Sequence, residues 1–161
     1  MPIGRWFDEV ETTVDFAEGQ PRATFERRMR KPVMDNSTYR GRINIALSKL
    51  KEVYPTKQIV LLTPIHRAYF YSSEKNIQPN ELYQNGCGEY IDAYVESVKE
   101  AGNLWAVPVI DLNALCGLFP LMDEMAQFFK SAENDRLHPN DEGHRRMALT
   151  LAYQLAALPI F

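Results

Sequence analysis

An aspartate and a histidine stand three residues apart near the carboxyl end of the chain, in the segment Asp135-x-x-His138-Pro139-Asn140. A carboxylate at this spacing can accept the Nδ1 proton of the imidazole, which leaves Nε2 free as a base for a hydroxyl nucleophile. Pro139 disfavours helical backbone at His138, so we expect the histidine on a turn. Asn140 is suited to cap a following helix. The same spacing also occurs by accident at helix junctions that carry no chemistry.

Extended to residues 135–144, the pattern D-x-x-H-P-N-x-x-G-H resembles the last conserved block of the SGNH (GDSL-type) hydrolases. In that family the block supplies the acid and base of a Ser-His-Asp triad. Two more segments, Tyr54 to Pro64 and Val107 to Leu112, resemble the family's fourth and fifth strands. The resemblance covers residues 38–157 in the family's order. It implies that His138 is the catalytic base and that Asp135 is its orienting acid.

The resemblance also implies a fold and the absence of one part of that fold. The family has a three-layer α/β/α flavodoxin-like fold with a parallel sheet, and we expect residues 1–161 to form one such domain, with residues 1–37 poorly determined. The family's Gly-Asp-Ser nucleophile motif and its Gly-x-Asn-Asp motif do not occur in this sequence. We therefore expect an N-terminally truncated fold that lacks its nucleophile. Strand 59–65 would then have one unpaired edge.

Composition limits the class of protein. A chain of 161 residues with a net charge of −3 fits a single soluble globular domain. The negative charge disfavours nucleic acid as a partner, even though residues 22–31 are rich in arginine. No apolar run approaches the ~20 residues of a membrane span. The amino terminus has no signal-peptide pattern, yet the compartment stays open if the native start lies upstream. Cys87 and Cys116 could pair or remain free.

Apolar periodicity predicts the main elements. We expect strands at 59–65 and 107–112, both apolar enough to be buried in a parallel sheet. A helix over 38–53 should be capped by Asn36 or Ser37, and a helix over 89–101 should stop at Gly102. The remaining predicted helices are 5–16, 119–129 and 141–158.

Two polar residues follow the first predicted buried strand. In open α/β sheets the ligand crevice lies at the carboxyl ends of the strands, so His66 and Arg67 are candidates for substrate binding. A solvated loop would explain them equally well. The predicted long loop 68–88 contains several aromatic residues and could form a lid or a substrate wall, or its aromatic side chains could simply anchor it.

Other chemistries fit the sequence less well. His138 and His144 do not have the i, i+4 spacing of helical zinc ligands, so no metal and no other cofactor is expected. No glycine-rich turn follows a strand, which disfavours phosphate binding. Cys87 has no supporting motif as a nucleophile, and Asp111 at the end of the second strand suits a structural hydrogen bond.

The sequence thus favours a serine ester hydrolase acting on a small ester, whose acyl group is carried by carbohydrate, lipid or a small alcohol. We expect the isolated chain to be nearly inert, because its nucleophile is missing. The alternative is a non-catalytic fragment or interaction protein that retains the second half of the fold. In both cases the uncovered sheet edge predicts a homo-oligomer.

Overall fold

A computed structural model describes residues 1–14 and 25–159 of the chain. The helices are α1 (Tyr39–Val53), α2 (Ile91–Trp105), α3 (Leu112–Leu115) and α4 (Asp141–Ala156), and a 3-10 helix spans Asp123–Phe128. In chain order the strands are β1 (Phe7–Val14), β2 (Phe25–Pro32), β3 (Leu61–Leu62), β4 (Phe70–Ser73), β5 (Asn76–Gln78), β6 (Val109–Ile110), β7 (Phe129–Ser131) and β8 (Asp135–Pro139).

The parallel pair β3–β6 confirms the predicted pairing of the two apolar segments. Leu61 aligns with Val109 and Leu62 with Ile110. The strands are shorter than predicted, although the Thr63 N–H still donates to the Ile110 carbonyl oxygen at 3.2 Å. The chain is therefore an α/β protein with a parallel strand pair.

Helices cover both faces of this strand pair, because successive strand side chains point to opposite sides. Ile59 and Leu61 pack against a buried cluster that includes Leu47 of α1 and Ala101 of α2. On the other face lies a second cluster formed by Ile110, Leu112, Cys116, Leu118 and Phe129, and Val60, Met147 and Leu151 pack against it. The sheet thus lies between α1 and α2 on one side and α4 on the other.

The helices α1 and α4 confirm two of the predicted helices. The cap predicted for α1 was wrong by one or two residues: Thr38, rather than Asn36 or Ser37, caps it by accepting a hydrogen bond from the Gly41 N–H at 3.3 Å. Helix α4 begins after Asn140, as its capping sequence predicts.

The helix α2 runs past the predicted stop at Gly102. A Cβ on Gly102 would lie 2.3 Å from Cγ2 of Val109 and 2.8 Å from the carbonyl oxygen of Val107, so the glycine lets α2 approach β6 closely. The helix ends instead at Trp105, and the next residue, Ala106, caps it with a left-handed φ of 50°. The predicted stop was wrong because the glycine serves packing rather than termination.

An antiparallel hairpin, β1–β2, replaces the predicted helix 5–16. Its base is anchored by buried Asn44, whose side chain donates to the carbonyl oxygens of Trp6 and Val33 at 3.0 Å each. The β-branched residues Val10, Thr12, Thr13 and Val14 favour extended backbone over helix. Residues 15–24, which include the end of the predicted helix 5–16 and the start of the arginine-rich stretch 22–31, lie outside the described part of the chain.

A four-stranded sheet, with strand order β5-β4-β8-β7, holds segments whose structure was predicted wrongly. The predicted loop 68–88 contains the hairpin β4–β5. The predicted helix 119–129 is only the short 3-10 helix, followed by β7. Strand β8 pairs with both β4 and β7, and it carries Asp135 and His138 in a strand rather than in the predicted turn.

Membrane and cysteine properties can be stated for the described residues. None of their helices has the length and apolarity needed to cross a bilayer. Cys87 is exposed, Cys116 is buried, and both are free thiols. Burial raises the pKa of the Cys116 thiol, so this sulfur stays protonated at neutral pH.

Candidate active site around His138

The structure brings Asp135 and His138 into contact. Nδ1 of His138 lies 2.9 Å from Oδ1 of Asp135 and 3.1 Å from Oδ2. The aspartate is buried, whereas the histidine side chain is 48% exposed. The carboxylate therefore holds one ring nitrogen from inside, while about half of the histidine side chain remains exposed.

Local backbone donors fix the carboxylate. Oδ1 of Asp135 accepts from the His138 N–H at 3.0 Å and from the Leu137 N–H at 3.3 Å. Burial alone would raise the pKa of Asp135, but the hydrogen bonds from the His138 backbone and ring, the charge of His138 and the Leu137 N–H together lower it. Asp135 is consequently an ionised acceptor for the Nδ1 proton at neutral pH.

The residues after His138 fix the start of α4. The Asn140 side-chain oxygen accepts from the N–H groups of Glu142 and Gly143 at 3.1 Å each, and its amide nitrogen donates to the carbonyl oxygens of Gln127 and Phe129. A Cβ on Gly143 would lie 2.3 Å from the Phe128 carbonyl oxygen. The asparagine and glycine of the motif thus dock the helix against the neighbouring strand.

An aromatic ring restrains the imidazole from the side. Phe70 of β4 contacts the His138 ring edge to face, with centroids 5.1 Å apart and planes at 88°. Phe70 is also the residue of β4 that pairs with Asp135 of β8. The sheet therefore positions both the acid and the ring of the histidine.

A second carboxylate–imidazole contact lies at the end of the β3 segment. Nδ1 of His66 is 2.8 Å from Oε1 of Glu81, and Oε2 of Glu81 accepts from the Arg67 N–H at 2.9 Å. The Glu81 side chain is only 7% exposed and that of His66 is 26% exposed. Phe119 contacts the His66 ring edge to face at 5.0 Å.

The two imidazole sites belong to neighbouring antiparallel segments. The Ala68 N–H, two residues after His66, donates to the carbonyl oxygen of Arg136, two residues before His138, at 3.1 Å. In an antiparallel pairing, going two residues back along one segment and two residues forward along the other leads towards the same end of the paired region. His66 and His138 accordingly lie towards the same end of the pairing.

Other polar residues near the strand ends are structural or separate. Asp111 accepts from the Thr63 hydroxyl at 3.0 Å and from the Ala114 N–H at 3.2 Å, which is the structural role expected for it. His144 lies in α4 and is not among the contacts of His138. Within residues 1–14 and 25–159, no three His, Cys, Asp or Glu side chains are grouped so that they could hold a metal ion.

Sequence reasoning missed two residues of this region, Phe70 and Glu81. Glu81 lies fifteen positions from His66, in a polar stretch without periodicity, so no spacing rule connects the two. Phe70 is one of the aromatic residues of the predicted loop 68–88, and nothing in the sequence connects it with His138. Asp135 and His138 could be found because their contact is local in sequence.

Comparison with known proteins gives structural but no sequence-family relatives. No family model and no curated protein matches the chain. One crystal structure superposes with a TM-score of 0.68 at 28% identity, over 79% of this chain. A protein from Lactobacillus plantarum superposes with a TM-score of 0.64 at 22% identity, again over 79% of this chain. A possible lipase from Chitinophaga pinensis superposes with a TM-score of 0.55 at 23% identity, over 78%.

The chain spans 55%, 57% and 63% of the lengths of these three proteins. The similarity therefore covers most of this chain and little more than half of its structural relatives. It supports an α/β fold that also occurs in a possible lipase.

Proposed function

We propose that the chain carries the acid and base of an SGNH-type serine ester hydrolase that acts on small acyl esters. The observation that carries this proposal is the contact between a buried, ionised Asp135 and a half-exposed His138. The similarity to a possible lipase, itself limited to the fold, is consistent with it. His66 and Arg67 are proposed as substrate contacts at the same end of the sheet.

The proposed chemistry follows from the orientation of the ring. Asp135 accepts the Nδ1 proton, so Nε2 is unprotonated and can take the proton of a serine hydroxyl as the oxygen attacks the acyl carbon. The imidazolium that forms is stabilised by the Asp135 carboxylate. It then returns the proton to the leaving alkoxide, and a water molecule hydrolyses the acyl-enzyme by the same route.

The nucleophile is proposed to come from outside this sequence. The 161 residues contain no Gly-Asp-Ser. Within the described part of the chain, no serine or threonine hydroxyl is hydrogen-bonded to His138. A segment or partner that completes the sheet would supply the serine and the oxyanion donors.

Hydrolysis of p-nitrophenyl acetate tests this proposal. We expect the 161-residue chain to match its own His138→Ala variant. The same chain joined to the polypeptide encoded in frame upstream of Met1 should turn the ester over, and His138→Ala should lower that rate on the order of 10⁶-fold.

Two results would contradict the proposal in different ways. Fast turnover by the isolated chain that His138→Ala abolishes would show that the nucleophile lies within these residues. Turnover by the joined protein that is indifferent to His138→Ala would refute the role of the histidine.

The second candidate is a non-catalytic interaction protein with the second half of the fold. The absence of a hydroxyl partner for His138 among the described residues favours it. A stop codon shortly before Met1, together with an inert chain, would support this alternative over the hydrolase.

For the fold we propose the three-layer flavodoxin-like arrangement of the SGNH hydrolases as one domain over residues 1–161. The helices on both faces of β3–β6 support it. In the described residues β3 pairs only with β6, and Leu62 is 44% exposed. We propose that in the isolated 161-residue chain a second copy covers this edge, with which the nucleophile-bearing segment or partner would otherwise pair.

A further inference from the structure

A cavity of about 380 Å³ lies between Arg67, the segment 78–89 and the start of α2. Its size falls within the roughly 300–1,000 Å³ of small-molecule sites. Another cavity of about 340 Å³, lined by residues 54–59 and 106–108, lies where the strand segments begin, away from His138. The cavity at Arg67 is the one at the carboxyl end of β3.

The cavity at Arg67 has polar groups without protein partners. Nη2 of Arg67 donates to the Pro79 carbonyl oxygen at 3.1 Å, and Nη1 makes no hydrogen bond among the described contacts. Among the described contacts, the side chains of Gln78, Gln84 and Glu89, which also line the cavity, make no hydrogen bond. Arg67 therefore keeps guanidinium N–H groups that can donate to a ligand in the cavity.

The charge of the cavity disfavours an anionic ligand. Arg67 is the only cation among its lining residues, and two carboxylates, Glu81 and Glu89, line it as well. Glu81 is already held by His66 and the Arg67 N–H, but its charge remains. A neutral ligand with several hydroxyl groups can both accept from the arginine and donate to a carboxylate or to the glutamine amides.

Aromatic surface completes the site. Tyr83 lines the cavity and is 65% exposed, so its ring is free to pack against a ligand. The Tyr94 hydroxyl, by contrast, is occupied by Asn85 and the Met1 carbonyl oxygen. An acyl chain would leave the amide, guanidinium and carboxylate groups unpaired, whereas a sugar ring presents apolar C–H faces to an aromatic ring and hydroxyls at its edge.

We propose that this cavity binds one sugar ring, so that the substrate of the proposed hydrolase is an acylated carbohydrate. The ester chemistry rests on the proposed function, while the sugar binding does not. Arg67 immediately precedes Ala68, whose N–H pairs with the Arg136 carbonyl oxygen two residues before His138. This pairing places the sugar site on the segment next to the proposed base.

Saturation-transfer NMR on the purified chain tests the binding. The probes are methyl β-D-glucopyranoside, methyl β-D-xylopyranoside, hexanoate and citrate. We expect transfer to at least one glycoside and none to hexanoate or citrate. Tyr83→Ala and Arg67→Met should each weaken glycoside binding about fivefold or more.

The matched control is Tyr153→Ala, which removes a tyrosine that is 75% exposed on α4. It should leave glycoside binding within about twofold of the unchanged protein. Circular dichroism checks that each variant is folded. Tyr83→Ala alone decides the test if Arg67→Met does not fold, because Tyr83 is largely exposed.

Three results would overturn the inference. They are binding of hexanoate or citrate instead of the glycosides, no transfer to any probe, and glycoside binding that Tyr83→Ala leaves unchanged. If ester hydrolysis depended on His138 but no glycoside bound, the sugar site would be refuted and the proposed hydrolase would stand. If a glycoside bound but no such hydrolysis occurred, the proposed hydrolase would be refuted and the sugar site would stand.

Discussion

At the scale of single residues, Asp135 is held by hydrogen bonds from within the next three positions. Its carboxylate accepts from two backbone N–H groups and from the His138 ring. Such bonds to an anion favour its charged form. Burial alone would favour the protonated carboxyl. The local donors keep Asp135 ionised, and it can therefore accept a hydrogen bond from Nδ1.

The lowered pKa of Asp135 predicts how its contribution to stability depends on pH. A carboxyl whose folded pKa lies below the unfolded value of about 3.9 stabilises the fold above that value, and the stabilisation is lost as the pH falls through the folded pKa. Asp135→Asn should lower the free energy of unfolding by about 1–3 kcal/mol at neutral pH, and the difference should shrink below about pH 4. Urea unfolding at several pH values measures this.

The control for that experiment is Glu74→Gln, because Glu74 is exposed and makes no hydrogen bond among the described contacts. This substitution should change the unfolding free energy by less than about 0.5 kcal/mol. A deficit of Asp135→Asn that stays constant down to acidic pH would contradict the ionised, hydrogen-bonded carboxylate.

The contact of Asp135 with His138 could be predicted from sequence because both residues lie within one local segment. The contact of His66 with Glu81 could not, since it depends on how the intervening hairpin β4–β5 folds back. The partner of a polar side chain is readable from sequence when the chain between the two is short, and not when a tertiary fold brings them together.

At the scale of elements, the first turn of α4 is both capped and closely packed. A Cβ on Gly143 would lie 2.3 Å from the Phe128 carbonyl oxygen and 2.8 Å from Cβ of Pro139. The first of these atoms belongs to the backbone and the second to a proline ring, so neither can move easily. The helix can dock beside β8 only with glycine at this position.

Gly143→Ala should therefore destabilise the protein by about 1–3 kcal/mol, as expected for overpacking. In an unhindered helix the same change would stabilise by about 0.4–1 kcal/mol, so the sign itself is informative. Thermal or urea unfolding measures the change.

Gly86→Ala is the matched control, because a Cβ on Gly86 would meet nothing within 4 Å. It should be close to neutral. If Gly143→Ala proved as mild as Gly86→Ala, the close approach of α4 to Phe128 would be wrong.

The long helices α1 and α4 and the apolar strands could be predicted because apolar residues recur in them at regular spacing. Only part of each helical stripe packs on the core, namely Ile43 and Leu47 of α1 and Met147 and Leu151 of α4. The hairpin β1–β2 was missed because Trp6, Val10 and Val14 also match a helical period. The β-branched residues of β1 and its antiparallel pairing with β2 favour the strand conformation instead. The strands β4, β5, β7 and β8 were missed because they are too short to show a clear apolar alternation. The β4–β5 and β7–β8 pairings are local hairpins, whereas the pairing of Phe70 in β4 with Asp135 in β8 is long-range.

At the scale of the whole molecule, the central strand pair has an open side. In the described part of the chain no strand pairs with the free edge of β3, and Leu62 on it is partly exposed. Unpaired backbone groups beside apolar side chains attract a further strand. We expect the chain to be a dimer, which light scattering after gel filtration measures directly.

Leu62→Lys should dissociate such a dimer by placing a charge at the edge. Leu149→Lys is the control, since Leu149 is similarly exposed, at 48% against 44%, but lies on α4. A clean monomer at micromolar concentration, or a dimer that both variants disrupt equally, would speak against association through β3.

The proposed function depends on which nitrogen of His138 carries the proton, and ¹⁵N NMR of the imidazole at neutral pH measures this most directly. We expect a protonated Nδ1 and an unprotonated Nε2 in the unchanged protein, with the two tautomers mixed in Asp135→Asn. A neutral ring that carried its proton on Nε2 rather than on Nδ1 would contradict the assignment of His138 as a base oriented by Asp135.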